Sequence, residues 1–391
     1  MAATRPVAAL VALATLAVAQ PARAATGPDG GACVLPANRL FEGRPWPLQR
    51  VLLDELWHDT RGEGVRVAVI DTGVDETHPQ LAGAVAPGAD TLEPGGDGSG
   101  DPVGHGTLVA GLIAARPRAG TGFVGLAPGA TVIPVRQNDA RDDGTDVSLA
   151  GAILHAVARR AQVINISQET VRPQAPGSAL GRAVAEAVRR DIVVVASAGN
   201  DGADGGRTPT YPAAFDGVLA VAASDRDNER APFSRPGSFV DVAAPGVDIV
   251  STAPGRGHCA DSGTSFAAPY VSAVAALLRA KYPHWTAAQI TARIEQTAER
   301  TVNGRDDFVG WGVVDPVRAL SGDDAPQDAP HPDEPLPGAR APDPAPLPAA
   351  DTPQRRDRRH AAWAMALTAL LTGAVAGAAA VARELRRRRT G

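Results

Sequence analysis

The chain has 391 residues, of which 44% are apolar, and carries a net charge of −5. That is enough for one large domain or two to three ordinary ones with a buried core, and the negative balance argues against a nucleic-acid partner for the folded part. Its two cysteines, Cys33 and Cys259, cannot build a four-ligand zinc site without several histidines beside them.

Residues 1–24 open with Arg5, continue through an apolar run over 7–19 and close on Ala22-Arg23-Ala24. A charged start, an apolar centre and an Ala-x-Ala site make a secretory signal peptide. In an exported chain the two cysteines are expected to pair, with two free thiols as the alternative. Residues 25–60 read as an N-terminal extension. Its part over 25–48 holds Gly, Pro and Cys33 with little periodicity and reads as an extended arm; 49–59 has apolar residues at helical spacing.

From residue 65 the pattern becomes α/β. Strands are predicted over 65–70, 131–135, 163–166, 192–196, 218–222, 239–242 and 247–251. Helices are predicted over 105–115, 146–160 (capped by Thr145 or Asp146), 178–190, 265–281 and 286–299. This alternation implies an α/β domain over 61–320, a doubly wound, mostly parallel sheet sandwiched by helices. Chemistry in such sheets gathers at the C-terminal ends of the strands.

Residues 321–360 are rich in Pro and Asp, almost without large apolar side chains, and read as an extended linker. In the polyproline conformation they reach on the order of 100 Å. Residues 361–382 carry no charge and are long enough to cross a bilayer. A single C-terminal transmembrane helix is expected, with a soluble amphipathic or buried helix as the alternative. A basic tail follows over 383–391, with Arg383, Arg386, Arg387, Arg388 and Arg389, which favours the cytoplasm. Arg355, Arg356, Arg358 and Arg359 precede the span and dilute that bias. The orientation therefore rests on the signal peptide: domain outside, tail inside.

Three residues stand at the ends of predicted elements. Asp71 closes the first strand in Asp71-Thr72-Gly73. His105 opens a helix in Gly104-His105-Gly106-Thr107. Ser265, in Gly263-Thr264-Ser265-Phe266-Ala267-Ala268-Pro269, sits where a small-residue turn runs into an apolar helix. A helix start surrounds a side chain with N–H groups that lack intrahelical partners. Ser265 is there as a cap or as a nucleophile whose oxyanion meets fixed donors. A serine hydroxyl needs a base to take its proton. An imidazole does this near neutral pH, and a carboxylate fixes its tautomer and stabilises the imidazolium. The one lysine, Lys281, lies far along the helix from Ser265. Asn200, in Ser197-Ala198-Gly199-Asn200-Asp201-Gly202, follows a buried strand. It offers an amide N–H to an oxyanion beside the Ser265 backbone N–H, or serves as a turn residue.

The segments around Asp71, His105, Asn200 and Ser265, in that order, resemble those of the subtilisin-like serine proteases, or subtilases. The resemblance covers roughly residues 60–320 and implies a subtilisin-like fold, endopeptidase activity through an Asp-His-Ser triad with an acyl-enzyme, a protein substrate and no cofactor. The short arm, the Pro-rich linker before one terminal span, and the Arg- and Ala-rich composition look like the mycosin branch, the membrane-anchored subtilases of actinobacterial type VII secretion. That likeness implies a limited set of substrates, a secretion-complex partner and a single-pass location at the cell membrane with the catalytic domain extracytoplasmic. A mainly structural role in the complex and a general surface subtilase are the alternatives. One departure bears on specificity. After Asn165-Ile166-Ser167 many subtilases carry Leu-Gly-Gly, whereas this chain has Gln168-Glu169-Thr170. A narrow substrate range is expected from the added side chains.

Cys33 and Cys259 would pin the arm beside the Ser265 loop. His258 reads as a loop histidine, with a metal ligand as the alternative, and His78 and His155 as surface or packing residues. Asp97, Asp101, Asp139, Asp142 and Asp143 lie in loops that either offer oxygen ligands to Ca²⁺ or are simply solvated, and their spacing matches no EF-hand. No metal site is called from them.

Overall fold

A computed structural model describes residues 33–139, 144–322, 325–333 and 353–387. The expected signal peptide, Asp142, Asp143, much of the linker and the end of the basic tail lie outside the described residues. The chain separates into two compact units between Asp333 and Glu334.

In the first unit, helices α1 (Trp46–Arg50) and α2 (Leu53–Leu56) replace the single helix expected over 49–59. There follow β1 (Arg66–Asp71), β2 (Ala89–Asp90), α3 (His105–Ala114), β3 (Thr131–Arg136), α4 (Asp146–Ala158), β4 (Val163–Ile166), α5 (Ala179–Arg189), β5 (Val193–Ser197) and β6 (Val218–Ser224). Then come β7 (Val242–Pro245), β8 (Ile249–Thr252), β9 (His258–Asp261), α6 (Thr264–Lys281), α7 (Ala287–Thr297) and α8 (Pro316–Leu320). Seven strands form one parallel sheet in the order β2-β3-β1-β4-β5-β6-β7. Strands β8 and β9 form a separate antiparallel pair. The strand expected over 239–242 begins at Val242 because 237–240 closes a turn, Val240 N–H donating to Gly237 O at 3.1 Å. The short β2 and β9 carry no sequence run long enough to be read as strands.

Strand parity decides what lies on each face. In β1, Val67 and Val69 point into the cluster that includes α3 and α6, while Ala68 and Ile70 point into the one with α4 and α5. Side chains alternate along a strand, so Asp71 falls on the α3/α6 face. Residues 264–279 of α6 are all buried, so this helix is enclosed and no polar stripe is needed. A Leu277→Ala change there costs about 2–5 kcal/mol by cavity formation. Thr145, Ser178 and Thr286 cap α4, α5 and α7 through side-chain oxygens, as their positions before apolar runs demand.

The arm from Cys33 lies along the body. Ala37 N–H donates to Pro254 O and Arg256 N–H to Ala37 O, both at 2.7 Å. Trp46 Nε1 donates to Val247 O at 2.9 Å. Cys33 and Cys259 are joined by a disulfide, Cα atoms 5.8 Å apart. His258 is buried in β9 and is not a loop residue, and His78 is buried as a packing residue. Phe41 N–H donates to His258 Nδ1 at 3.0 Å, so the His258 proton is on Nε2, which donates to Gln80 Oε1 at 2.7 Å. Burial pushes His258 down to about 3 and His78 down to about 4. The body also runs past the expected boundary at residue 320. Gln289 reaches Asp328, Gln296 Oε1 accepts from His331 N–H and Arg300 pairs with Asp333 at 3.0 Å.

The second unit is described by helix α9, Pro353–Arg387. Its stretch Asp357–Arg387 has a mean hydropathy of 1.9 over its most apolar window. At about 1.5 Å per residue it is longer than the ~30 Å hydrocarbon core, so it is long and apolar enough to cross a membrane.

Both buried histidines titrate near 6.5 when unfolded, so the unfolded chain takes up protons first as pH falls. Stability should decline from about pH 6.5 down through pH 3–4. Urea unfolding across that range should show the slope, and His258→Gln should reduce it; a slope unchanged by that substitution contradicts the assignment.

Candidate active site

The parallel sheet brings β1, β4 and β5 to one edge, and the starts of α3 and α6 arrive there from the same face. Asp71 ends β1 and is fully buried, while the His105 side chain is 27% exposed. His105 Nδ1–H donates to Asp71 Oδ1 at 2.7 Å, and Thr72 N–H donates to the same oxygen at 2.8 Å. That bond fixes the tautomer and leaves Nε2 free to accept a proton. Gly106 permits the approach: a Cβ there would lie 2.0 Å from Gly73 O and 3.1 Å from Asp71 Cβ.

Asp101, expected in a solvated or ion-binding loop, is buried beneath this pair. Its Oδ1 accepts from Thr72 Oγ1 at 2.8 Å and Gly104 N at 2.7 Å. Its Oδ2 accepts from Thr107 N at 2.8 Å and Thr107 Oγ1 at 2.7 Å. Thr72 Oγ1 in turn accepts from Gly106 N at 2.9 Å. One carboxylate thus ties the end of β1 to the start of α3. Asp97 caps its own turn through Ser99 N–H at 3.0 Å. Among the described residues no group of three or more His, Cys, Asp or Glu is placed to hold a metal ion.

Ser265 is on the first turn of α6 and 7% exposed. Phe266 packs its ring against His105, centroids 5.0 Å apart. Pro269 explains how the turn is held. It has no N–H to give to the carbonyl four residues back, which is Ser265 O, and Ser167 Oγ donates to that oxygen instead at 3.1 Å. Ser167 Oγ accepts from Asn165 Nδ2 at 2.9 Å, and Asn165 Oδ1 accepts from Ser272 Oγ at 2.9 Å. The relay therefore starts inside the core and ends at Ser265. Its signal in the sequence is a polar residue amid the apolar β4 run, at the parity that faces α6.

Asn200 Oδ1 accepts from Thr264 N at 2.9 Å and Thr264 Oγ1 at 3.0 Å. The amide is therefore turned so that Nδ2 faces the serine. A point one Cβ bond off Gly263 lies 2.9 Å from Ser265 Oγ and 3.6 Å from Asn200 Nδ2. The two groups share one small space. No hydrogen bond among the described residues joins Ser265 Oγ to His105, a contact that substrate-free sites often leave long.

Burial works against a charged His105, but the Asp71 charge and hydrogen bond, with Asp101 and Asp261 behind them, outweigh it and raise the imidazole to about 9. Burial also raises Glu169, to about 6, and pushes Asp261 up. The strand-end carboxylate, the helix-start imidazole and the helix-start serine with an adjacent amide are the group types that a serine hydrolase uses, gathered at one edge of a doubly wound sheet.

The subtilase family model matches residues 62–312. Mycosin-4 of Mycobacterium tuberculosis is 39% identical, over 91% of this chain and 85% of its own. The crystal structure of MycP1 from Mycobacterium smegmatis superposes with a TM-score of 0.68 at 31% identity, covering 81% of this chain and 92% of that one. A chain of the intact ESX-5 inner membrane complex aligns at 35% identity with a TM-score of 0.68, covering 92% of this chain and 94% of its own. The chain belongs to the subtilase family, its likeness running to the mycosins over most of its length, and it is a serine-type endopeptidase.

An imidazole held near 9 accepts a proton only after losing its own, so with His105 as the base kcat/KM should rise with pH through the neutral range toward 9. Asp101→Asn or Asp261→Asn removes one raising charge and should move that rising limb to lower pH. A pH–rate profile with no movement in either variant contradicts the electrostatic account.

Proposed function

We propose that Asp71, His105 and Ser265 are the catalytic triad, and that Asn200 with the Ser265 backbone N–H is the oxyanion hole. The observation that carries this is the 2.7 Å bond between a fully buried Asp71 and His105 at the same sheet edge as Ser265 and Asn200. Ser265 Oγ attacks the scissile carbonyl carbon as its proton passes to His105 Nε2. The imidazolium is stabilised through Nδ1–H by Asp71. The carbonyl oxygen, now negative, accepts from Asn200 Nδ2 and the Ser265 N–H. Collapse breaks the C–N bond, and His105 returns the proton to the departing amine. Water, deprotonated by His105, then attacks the acyl-serine; the acyl–Oγ bond breaks, the acid leaves and His105 returns the proton to Ser265 Oγ.

The same reading makes the chain a membrane-anchored endopeptidase. A signal peptide over 1–24, a peptidase domain over 61–320 and a membrane span over 361–382 leave the domain extracytoplasmic and the tail inside. The likeness, over 92% of this chain, to a chain of the ESX-5 inner membrane complex supports processing of a limited set of proteins at a type VII secretion complex. It also favours a second reading, a subunit whose presence stabilises the assembly.

Ser265→Ala should lower kcat by on the order of 10⁴–10⁶. Asn200→Ala should lower it about 10²–10³-fold, the loss seen when one oxyanion-hole donor is removed from a subtilisin. Complementing a deletion strain with Ser265→Ala separates the two roles. The protease reading predicts that substrate processing is lost; processing that survives contradicts it. Secretion that also survives removal of the whole chain would sink the structural reading.

A further inference from the structure

Two chain segments leave the neighbourhood of Ser265 together. One follows β4: Ser167 Oγ holds Ser265 O at 3.1 Å, and Gln168, Glu169 and Thr170 come next. The other follows β5: Gly199 N–H donates to Thr264 Oγ1 at 3.2 Å, and Asn200 comes next. A substrate carbonyl held by Ser265 and Asn200 sits at the mouth of the gap between them. The residue that supplies that carbonyl has its Cα one bond away, so its side chain lies within reach of the gap.

The gap is occupied. Gly199 has φ +104°, and its open side is where a side chain could otherwise lie. The point a Cβ on Gly199 would take is 3.1 Å from Thr210 Cγ2, 3.4 Å from Glu169 Oε1 and 3.5 Å from Arg235 Nε. Three side chains from three segments converge there. Glu169 reaches across from the β4 segment, and its Oε2 accepts from Ser197 Oγ at 3.3 Å on the opposite wall. The backbone behind it cannot swing aside, because Thr170 and Tyr211 exchange two hydrogen bonds of 2.9 Å each. Thr210 is equally fixed: it is fully buried and its Oγ1 donates to Ala198 O at 2.9 Å. Arg235 is 6% exposed and closes the far side.

We infer that Glu169 blocks the pocket for the residue on the acyl side of the scissile bond, so that the chain accepts glycine, alanine or serine there and rejects aromatic and long aliphatic side chains. This rests on the assignment of Ser265 and Asn200 above. The block is steric. The carboxylate is the far end of a side chain that spans the gap, and its partner Ser197 is on the other wall. A neutral group of the same shape would fill the space equally well.

The test uses the full-length chain in detergent and peptidyl phosphonates that differ only in the residue bearing phosphorus: alanine, phenylalanine or lysine. The second-order rate of Ser265 modification is read by mass spectrometry. The alanine probe should react at least about tenfold faster than the phenylalanine probe, the scale on which a pocket rejects excess side chain. Glu169→Gly should lower that alanine-to-phenylalanine ratio by about tenfold or more, and Glu169→Ala serves if the glycine variant does not fold. Glu169→Gln should retain the wild-type ratio. Equal rates for alanine and phenylalanine in the wild type, or a ratio insensitive to Glu169→Gly, overturns the inference. So does a wild-type preference for the lysine probe that Glu169→Gln abolishes, which would make the carboxylate an electrostatic selector. A small fluorophosphonate separates the two levels. If it modifies Ser265 while the ratio fails, the pocket inference alone falls; if it leaves Ser265 untouched, the triad assignment falls and this inference with it.

Discussion

A carboxylate buried at the end of a strand is costly unless something answers its charge. Asp71 is answered by His105 at 2.7 Å, and much of the nearby architecture serves to keep the two together. β1 must end on the α3 side of the sheet, which strand parity decides from the Val67–Val69 alternation. α3 must begin within reach, which requires no side chain at Gly106. Asp101 then locks the turn to the helix with four donors at 2.8 Å or less. Its negative charge also adds to the pull on the imidazole. The same group thus positions the His105 imidazole and raises it.

Ser265 is held by a different device. The proline in α6 frees the Ser265 carbonyl, and the Ser272–Asn165–Ser167 relay takes it up from the core. Asn200 is oriented by Thr264, the residue beside the serine. Ser265 and Asn200 therefore share one local scaffold, while Asp71 and His105 have their own. The arm adds a third constraint from outside: its disulfide at Cys259 lies in β9, two residues before Asp261 and six before Ser265.

Most of the sheet was legible because parallel strands buried on both faces read as apolar runs, and the helices between them carry clear caps. The segments around Asp71, His105, Asn200 and Ser265 stand out in the sequence because each lies at a junction of elements. What escaped was set by partners far away in sequence. Asp101 looked like one more acidic loop residue, since nothing local says that Thr72 and Thr107 will close over it. His258 looked like a loop histidine, because its burial depends on Phe41 of the arm and on Gln80. β9 was invisible, since a four-residue strand with His, Cys and Asp is made by pairing with β8 and not by its own propensity. The body's extension to Asp333 likewise depends on Gln289, Gln296 and Arg300 reaching out to a Pro- and Asp-rich stretch.

The central claim is that the buried Asp71–His105 couple drives Ser265. It is tested most directly by the rate at which a small fluorophosphonate modifies Ser265 in the wild-type chain and in Asp71→Asn. The account predicts a fall of about 10⁴ in the variant with the fold intact, because an amide leaves the imidazole in the wrong tautomer. Modification of Ser265 at an undiminished rate in Asp71→Asn would contradict it.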